Sequence, residues 1–366
     1  MNRTGKDFSV TQPWIYKSMP DLIFILLPPF LSLLIVFAFP GLFRNPEGIP
    51  DLVWLLLIVF VDVAHVYSTL YRTYFDAETF QKQKGILISI PIFVFILAVV
   101  LYSIAPLLFW RILAYLAVYH FIRQQYGFMR IYSRKEKVSR IEYWVDTITI
   151  YSATLYPVLY WHMHGPRNFN WFVDNDFLYF QSGWLSKLCF GLYVIILIVY
   201  VVKEINLVRF SGKFNLPKNL VVTGTALSWY FGIVYFNGDL IFTLLNVVSH
   251  GIPYMALVWM YGRKQEIKER HTNVFLQKVF SGYGWLIFLM TMVCFAYFEE
   301  GIWDVWIWKD HTSLFQPFSF LPVLKNATLL NILVPLLTVP QATHYIIDGF
   351  IWRLSKGETF WAKKIL

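Results

Sequence analysis

The sequence predicts an all-α integral membrane protein, a polytopic helix bundle with about ten transmembrane segments. Of its 366 residues, 57% are hydrophobic and only 14% are charged, whereas soluble domains carry about a quarter charged residues. The mean hydropathy is +0.53, and long apolar runs recur along the chain. We therefore predict a cytoplasmic leader at 1–20, a single transmembrane domain at 21–352 and a basic cytoplasmic tail at 353–366.

Ten windows are apolar over the 20 or so residues that a helix needs to cross a bilayer. They are 21–40, 51–71, 86–106, 107–129, 141–161, 185–203, 219–236, 239–261, 279–298 and 328–351. The third and fourth windows meet at Pro106, and the seventh and eighth meet at Asn237-Gly238-Asp239, a strong turn signal. No small-residue cleavage site follows the first window, so we expect a retained span rather than a removed signal peptide.

Basic residues are distributed as the positive-inside rule requires of this topology. Of the 31 Lys and Arg residues, 25 lie on one side of the membrane when the ten windows alternate in direction. The other six are Arg44, Arg111, Arg167, Lys187, Lys309 and Lys325. The basic side includes both termini, so we predict cytoplasmic termini and a multi-pass protein of the bacterial inner membrane or an equivalent membrane.

Composition also limits the partners that we expect. The net charge is +9, but the basic residues lie between apolar windows, so orientation in the bilayer explains them and no nucleic-acid partner is predicted. Cys189 and Cys294 fall inside windows and are predicted to be packing residues, without a disulfide framework. Membrane lipids are the partners that the composition indicates.

Four histidines lie inside windows that all cross the membrane in the same direction in this topology. They are His65, His120, His250 and His344. An ionisable residue within the hydrocarbon region is energetically unfavourable, and it is therefore a candidate functional residue. The four lie eleven to sixteen residues from the outer ends of their windows, so at about 1.5 Å per residue their depths differ by roughly 8 Å at most. Helix packing would therefore bring their imidazoles around one centre.

Each histidine has a polar companion on its own helix face, three or four residues away. These companions are Asp62, Gln124, Asn246 and Asp348. A ligating imidazole usually donates its second N–H to a carboxylate or amide, so the companions are predicted to orient the rings. Asp62 and Asp348 are alternatively oxygen ligands of a metal, and Asp146 would join the second shell from a fifth helix.

The residue types of this constellation indicate a metal or haem site. Imidazole with carboxylate suits iron, copper or zinc, and two histidines with one carboxylate form a recurring iron(II) site for oxygen chemistry. Four histidines in an apolar bundle would also serve as axial ligands of one or two b-type haems. A single membrane histidine often makes only an interhelical hydrogen bond, but four at matched depth favour a cofactor.

The other histidines are predicted to lie outside this centre. His162 and His164 fall beyond the outer end of the fifth window, on the opposite side of the membrane, while His271 and His311 lie in segments expected to be solvated. Basic residues end three of the four histidine-bearing windows, and these are predicted to be interfacial anchors, with headgroup binding as the alternative. They are Arg72, Arg123 and Arg353.

The dispersed order of single histidines on separate helices resembles that of the Brp/Blh carotenoid-cleaving dioxygenases. The last window carries Leu337-Thr338-Val339-Pro340 followed by Ile347-Asp348, and His120-Phe121 and His250 resemble two further histidine segments of that family. The pattern departs from the family where Gln341, rather than a histidine, follows Pro340. The resemblance implies a polytopic iron enzyme with a lipophilic substrate.

Three functions are consistent with these observations. The first is an iron- or other transition-metal-dependent oxygenase or oxidase, with His65, His120, His250, His344, Asp62 and Asp348 at its catalytic metal, acting on a hydrophobic lipid or isoprenoid with the help of an electron donor. Four tyrosines near the histidines are candidates for proton or radical steps, namely Tyr67, Tyr119, Tyr126 and Tyr345. The alternatives are a bis-histidine haem b electron-transfer protein and a transporter with a His/Asp proton or cation relay.

Overall fold

Helices form the regular structure of the protein. The computed structural model describes residues 12–43, 49–267, 273–322, 324 and 326–352, and within these ranges the chain contains α-, 3₁₀- and π-helical segments and no β-strand. The all-α prediction is therefore confirmed for the part of the chain that is described. The predicted tail at 353–366 and the first eleven residues of the predicted leader lie outside the described residues.

Helix covers most of every predicted window, and the main interruption is the turn at 280–284 in the ninth. In chain order the main helices are α1 (Ser18–Leu26), α2 (Pro28–Ala38), α3 (Asp51–Arg72), α4 (Ala77–Ile104), α5 (Pro106–Ser133), α6 (Arg140–Met163), α7 (Gly183–Ser211), α8 (Leu216–Trp229), α9 (Asp239–Ile267), α10 (Val274–Val279), α11 (Trp285–Trp308) and α12 (Ala327–Ile351). α8 continues as a π-helical segment over Tyr230–Tyr235.

Six of these helices are long and apolar enough to cross a membrane. They are α3, α4, α7, α9, α11 and α12, the last over 328–351. Helices α1 and α2 are bent by 53° relative to each other, and they make a seventh span if the pair is counted as one. This count covers only the described residues. Several apolar helices of this length identify a multi-pass membrane protein, although α5, α6 and α8 are not among them.

Side-chain caps define where several helices begin. The Asp76 carboxylate accepts hydrogen bonds from the backbone N–H groups of Glu78 and Thr79 at the start of α4. Ser139 and Glu142 form a reciprocal capping box at the start of α6. Gly212 ends α7 in the left-handed conformation, with φ of +66°, which glycine adopts without a steric penalty.

The chain divides into two compact units. The first contains the described residues of 12–43, 121–168 and 179–249. In it α6 packs against α7 and α8, and α2 packs against α8. The second contains the described residues of 49–120, 169–178 and 250–352, and in it α4 packs along α12 while α3 packs against α11. All four histidines of the predicted centre belong to the second unit.

α3 changes its winding along its length. It is α-helical over Asp51–Trp54, π-helical over Leu55–Val63, α-helical over Ala64–Ser68 and 3₁₀-helical over Thr69–Arg72. The π-helical segment ends two residues before His65. Such segments are rare and frequently lie at functional sites.

A glycine allows α9 to approach α3 closely beside two of the histidines. A Cβ atom built on Gly251 would lie 2.8 Å from Cγ1 and 2.9 Å from the carbonyl oxygen of Val61. Only glycine fits at that distance without a shift of one helix. The neighbouring residue on α9 is His250, so this close crossing places its imidazole next to that of His65.

Candidate metal centre

The four predicted histidines converge on one point within the second unit. Each offers one imidazole nitrogen, and these four nitrogens all lie within 4.8 Å of one another. His65 Nε2 lies 3.1 Å from His250 Nε2, and His120 Nε2 lies 3.1 Å from His344 Nε2. The four residues are between 0% and 3% exposed. The centre is therefore dry and is built from one side chain on each of α3, α5, α9 and α12.

The spacing of these nitrogens suits a transition-metal ion. At a metal–nitrogen distance of about 2.0–2.1 Å, two ligands lie about 2.9 Å apart at 90° and about 3.4 Å apart at the tetrahedral angle. The two separations of 3.1 Å fall between these values. The rings are also inclined to one another, at 89° for His65 and His250 and 64° for His120 and His344, as expected for ligands that point inward from different helices.

Carboxylates face the Nδ1 atoms, on the far side of three of the rings. Asp62 Oδ1 lies 3.7 Å from His65 Nδ1, and the two oxygens of Asp348 lie 3.7 Å from His120 Nδ1 and from His344 Nδ1. His120 and His344 direct their Nε2 atoms toward each other, and Asp348 lies on the opposite, Nδ1 side of both rings. At 3.7 Å these carboxylates lie beyond hydrogen-bond distance of the rings, on the side away from the converging nitrogens, which matches an outer shell better than ligation.

Thr69 and Tyr254 extend this support, and the sequence reasoning missed both. Thr69 Oγ1 lies 2.7 Å from His344 Nδ1 and 3.0 Å from the Tyr254 hydroxyl. Tyr254 in turn donates a hydrogen bond of 2.5 Å to Asp348 Oδ1. Thr69 therefore contacts His344 directly, while Tyr254 contacts both Thr69 and Asp348, whose carboxylate lies 3.7 Å from the same imidazole. The i+4 rule that found the polar companions would have found these residues as well, since Thr69 follows His65 by four and Tyr254 follows His250 by four.

Three predicted second-shell residues fall in the first unit and have other positions there. Asn246 donates from Nδ2 to the Phe242 carbonyl, 2.9 Å away on its own helix. Asp146 is fully buried and accepts a hydrogen bond from Lys203. Gln124 is half-buried on α5. Asp146 is thus a member of an ion-pair network, a role that its place in an apolar window did not reveal.

The four candidate tyrosines differ in their surroundings. The ring of Tyr345 lies 4.9 Å from that of His120, nearly parallel to it. Tyr67 donates a hydrogen bond of 2.5 Å to Glu299. Tyr126 lies 3.0 Å from the hydroxyl of Tyr143, and Tyr119 is 56% exposed. Tyr345 is therefore the one of the four that contacts the histidine cluster directly.

Some predictions for residues outside the centre need correction. Arg72 is 1% exposed, and its guanidinium lies 4.1 Å from the ring centroid of Tyr261, so it is a buried residue rather than an interfacial anchor. His311 is not freely solvated, because its Nδ1 lies 2.9 Å from Asp51 and its ring stacks on Trp54. Arg353 and His271 lie outside the described residues.

His162 and His164 make local contacts on their own helix. Their Nδ1 atoms lie 2.6 Å and 2.9 Å from the carbonyl oxygens of Val158 and Tyr160, one turn earlier. Neither is a member of the group of four histidines, as the sequence predicted.

Comparisons with known proteins give no relative for this chain. No family model matches it, and no curated protein and no solved structure resembles it significantly. The functional argument therefore depends on the geometry of the centre.

Proposed function

We propose that this protein is an integral-membrane metalloenzyme in which His65, His120, His250 and His344 hold one transition-metal ion. The observation that carries the proposal is the convergence of four buried imidazole nitrogens within 4.8 Å. One metal ion at the point of convergence would coordinate all four nitrogens at once. Imidazole ligands suit iron, copper, zinc and nickel.

Within this class we propose an iron-dependent oxygenase or oxidase that acts on a hydrophobic lipid or isoprenoid and receives electrons from a donor. Bound iron would supply the activation of dioxygen. The four histidines would hold the iron through one nitrogen each. Asp62, Asp348 and Thr69 orient the imidazoles, and the enclosure of the centre excludes water from reactive species. Tyr254 and Tyr345 hold hydroxyl protons next to the imidazoles.

The resemblance to the Brp/Blh family remains part of this proposal. It rests on the sequence of the last window, where Thr338-Val339-Pro340 is followed by Ile347-Asp348. A haem is less well supported, because its macrocycle must lie between two axial nitrogens. Four imidazole nitrogens within 4.8 Å occupy the space that the macrocycle would need.

Elemental analysis together with an optical spectrum of the detergent-purified protein tests the function. We expect about one transition-metal ion per chain, with iron dominant, and no Soret band. If zinc or copper were found at the same stoichiometry, the proposal of a metal centre would stand and the proposal of an iron-dependent reaction would be rejected. A Soret band with sharp reduced α/β bands would establish the haem alternative, and a metal-free protein with pH-dependent uptake in vesicles would establish the transporter.

We also propose ten membrane spans with both termini in the cytoplasm of a bacterial inner membrane or its equivalent. The support is the one-sided distribution of Lys and Arg and the helix that covers most of each window. In a background with Cys189→Ala and Cys294→Ala, we expect Lys137→Cys to react with an impermeant thiol reagent only from the cytoplasmic side. Asp174→Cys should react only from the other side. Labelling of both from one side would contradict this topology.

A further inference from the structure

An elongated groove lies between α7 and α8 in the first unit. Its volume is about 770 Å³, within the range of roughly 300–1,000 Å³ that is usual for ligand pockets. Its walls come from residues between 193 and 209 on α7 and between 219 and 231 on and after α8. The sixteen helical steps from Tyr193 to Arg209 extend over about 24 Å, which exceeds the roughly 15 Å of one hydrocarbon leaflet. The groove is therefore long enough for a lipid chain and part of a headgroup.

The two ends of the groove differ in polarity. The middle is lined by aliphatic side chains such as Leu197, Val201 and Val222, and the far end by the rings of Tyr193 and Tyr230. The charged side chains that line the groove lie at the opposite end, where α7 finishes. These are Glu204 and Arg209. An apolar trough with charges at one end fits an amphiphile whose head lies near the end of α7.

Glu204 retains one hydrogen-bond acceptor site that could face a ligand. Its Oε1 accepts from the ammonium groups of Lys203 and Lys218. Its Oε2 accepts one hydrogen bond, of 2.7 Å, from Asn219 Nδ2. A carboxylate oxygen can accept two hydrogen bonds, so Oε2 has capacity for one further N–H donor. Because Glu204 also lines the groove, that donor can come from a bound molecule.

The charges around Glu204 favour a cationic donor. Lys203 and Lys218 pair with three carboxylates, those of Asp146, Glu204 and Glu136. With every member ionised, this network carries one negative charge more than positive. The ammonium group of a ligand would balance that excess.

Arg209 provides the complementary charge for an anionic group. It follows Glu204 by five residues, about 7.5 Å along the helix axis, and it is exposed at the end of α7. A primary ammonium and a phosphate joined by a two-carbon spacer would reach both residues, because the long arginine side chain covers the remaining distance.

We propose that this groove binds phosphatidylethanolamine. One acyl chain lies along the aliphatic wall, the ammonium donates to Glu204 Oε2, and the phosphate accepts from Arg209. The site is separate from the proposed metal centre, and neither proposal depends on the other.

Native mass spectrometry of the full-length protein in detergent tests the headgroup preference. The probes are phosphatidylethanolamine, phosphatidylcholine and phosphatidylglycerol with identical acyl chains. Phosphatidylcholine lacks an N–H donor and phosphatidylglycerol lacks the amine, so we expect the ethanolamine lipid to bind roughly tenfold more tightly than either. Arg209→Gln should weaken binding of all three lipids, while Lys213→Gln, a nearby exposed control, should not. Equal binding of the three lipids would reduce the groove to a site of annular lipid and overturn the proposal.

Two tryptophan substitutions on α7 test the location. Val201 lines the groove, whereas Val199 does not, and the two are 53% and 45% exposed. Val201→Trp fills the groove and should abolish retention of the ethanolamine lipid. Val199→Trp adds the same bulk next to it and should leave retention unchanged. Equal retention by both variants would place the lipid elsewhere and reject the assignment.

Discussion

Replacing His65 and His250 together with alanine is expected to remove the metal ion from the purified protein. The pair supplies two of the four nitrogens, 3.1 Å apart, and comes from helices α3 and α9, whose crossing is fixed by Gly251. Loss of a residue that merely orients a ligand lowers metal affinity by about 10–100-fold. Loss of two direct ligands should therefore exceed roughly 100-fold, and elemental analysis after size-exclusion chromatography should find less than about 0.1 ion per chain.

A matched double substitution controls for the loss of imidazoles in general. The Nδ1 atoms of His162 and His164 face carbonyl oxygens of their own helix, and neither residue belongs to the group of four histidines. His162→Ala with His164→Ala should leave the metal content unchanged. If the His65/His250 variant does not yield folded protein, His344→Gln keeps a hydrogen-bonding side chain and should still lose the ion. Wild-type metal content in a folded variant would refute the centre.

Lys218→Met is expected to destabilise the folded protein by about 3–5 kcal/mol, because it removes one of the two ammonium groups that balance three neighbouring carboxylates. The Lys218 side chain is fully buried, and its Nζ lies 2.5 Å from Glu204 and 2.9 Å from Glu136. Thermal unfolding in detergent, followed by circular dichroism, measures the effect. Lys213→Met, at an exposed position between α7 and α8, should unfold at the wild-type temperature.

A second substitution shows whether unpaired charge is the cause. Adding Glu204→Gln to Lys218→Met removes one of the carboxylates that the first change left unbalanced. We expect the double variant to recover part of the lost stability, since the effects of neighbouring residues are not additive. A double variant that is less stable by the full sum of both changes would show that packing, rather than charge, controls this region.

The sequence could predict the helices and the main ligands because both depend on local patterns. Apolar windows of about 20 residues predict the positions of helices. A histidine inside such a window is a candidate functional residue, because an ionisable side chain is energetically unfavourable within the hydrocarbon region. The convergence of His65, His120, His250 and His344 is a tertiary property. It could be anticipated only because an alternating topology placed all four at similar depth. The number of spans does not follow from the windows alone, since α5, α6 and α8 are not among the helices that are long and apolar enough to cross a membrane.

The errors came from residues whose role depends on a partner on another helix. Asp146 was assigned to the histidine centre, but its pairing with Lys203 depends on how α6 packs against α7. Arg72 was assigned to the membrane interface by its position at a window end, and it is instead stacked over Tyr261 inside the protein. A single sequence carries no direct signal for either neighbour. Thr69 and Tyr254 were different, because helical spacing alone would have identified them.

The dispersal of the four histidines along the chain has a consequence for biogenesis. His65 and His344 are separated by almost the whole helical region, so the four histidines of the proposed centre can come together only after α12 has been synthesised and inserted. An ion could not be held by four nitrogens during earlier stages of translation. Loading would follow insertion of the last helix, and ion capture would then lock an already assembled bundle. Cells starved of the ion would accumulate inserted apoprotein rather than abort synthesis.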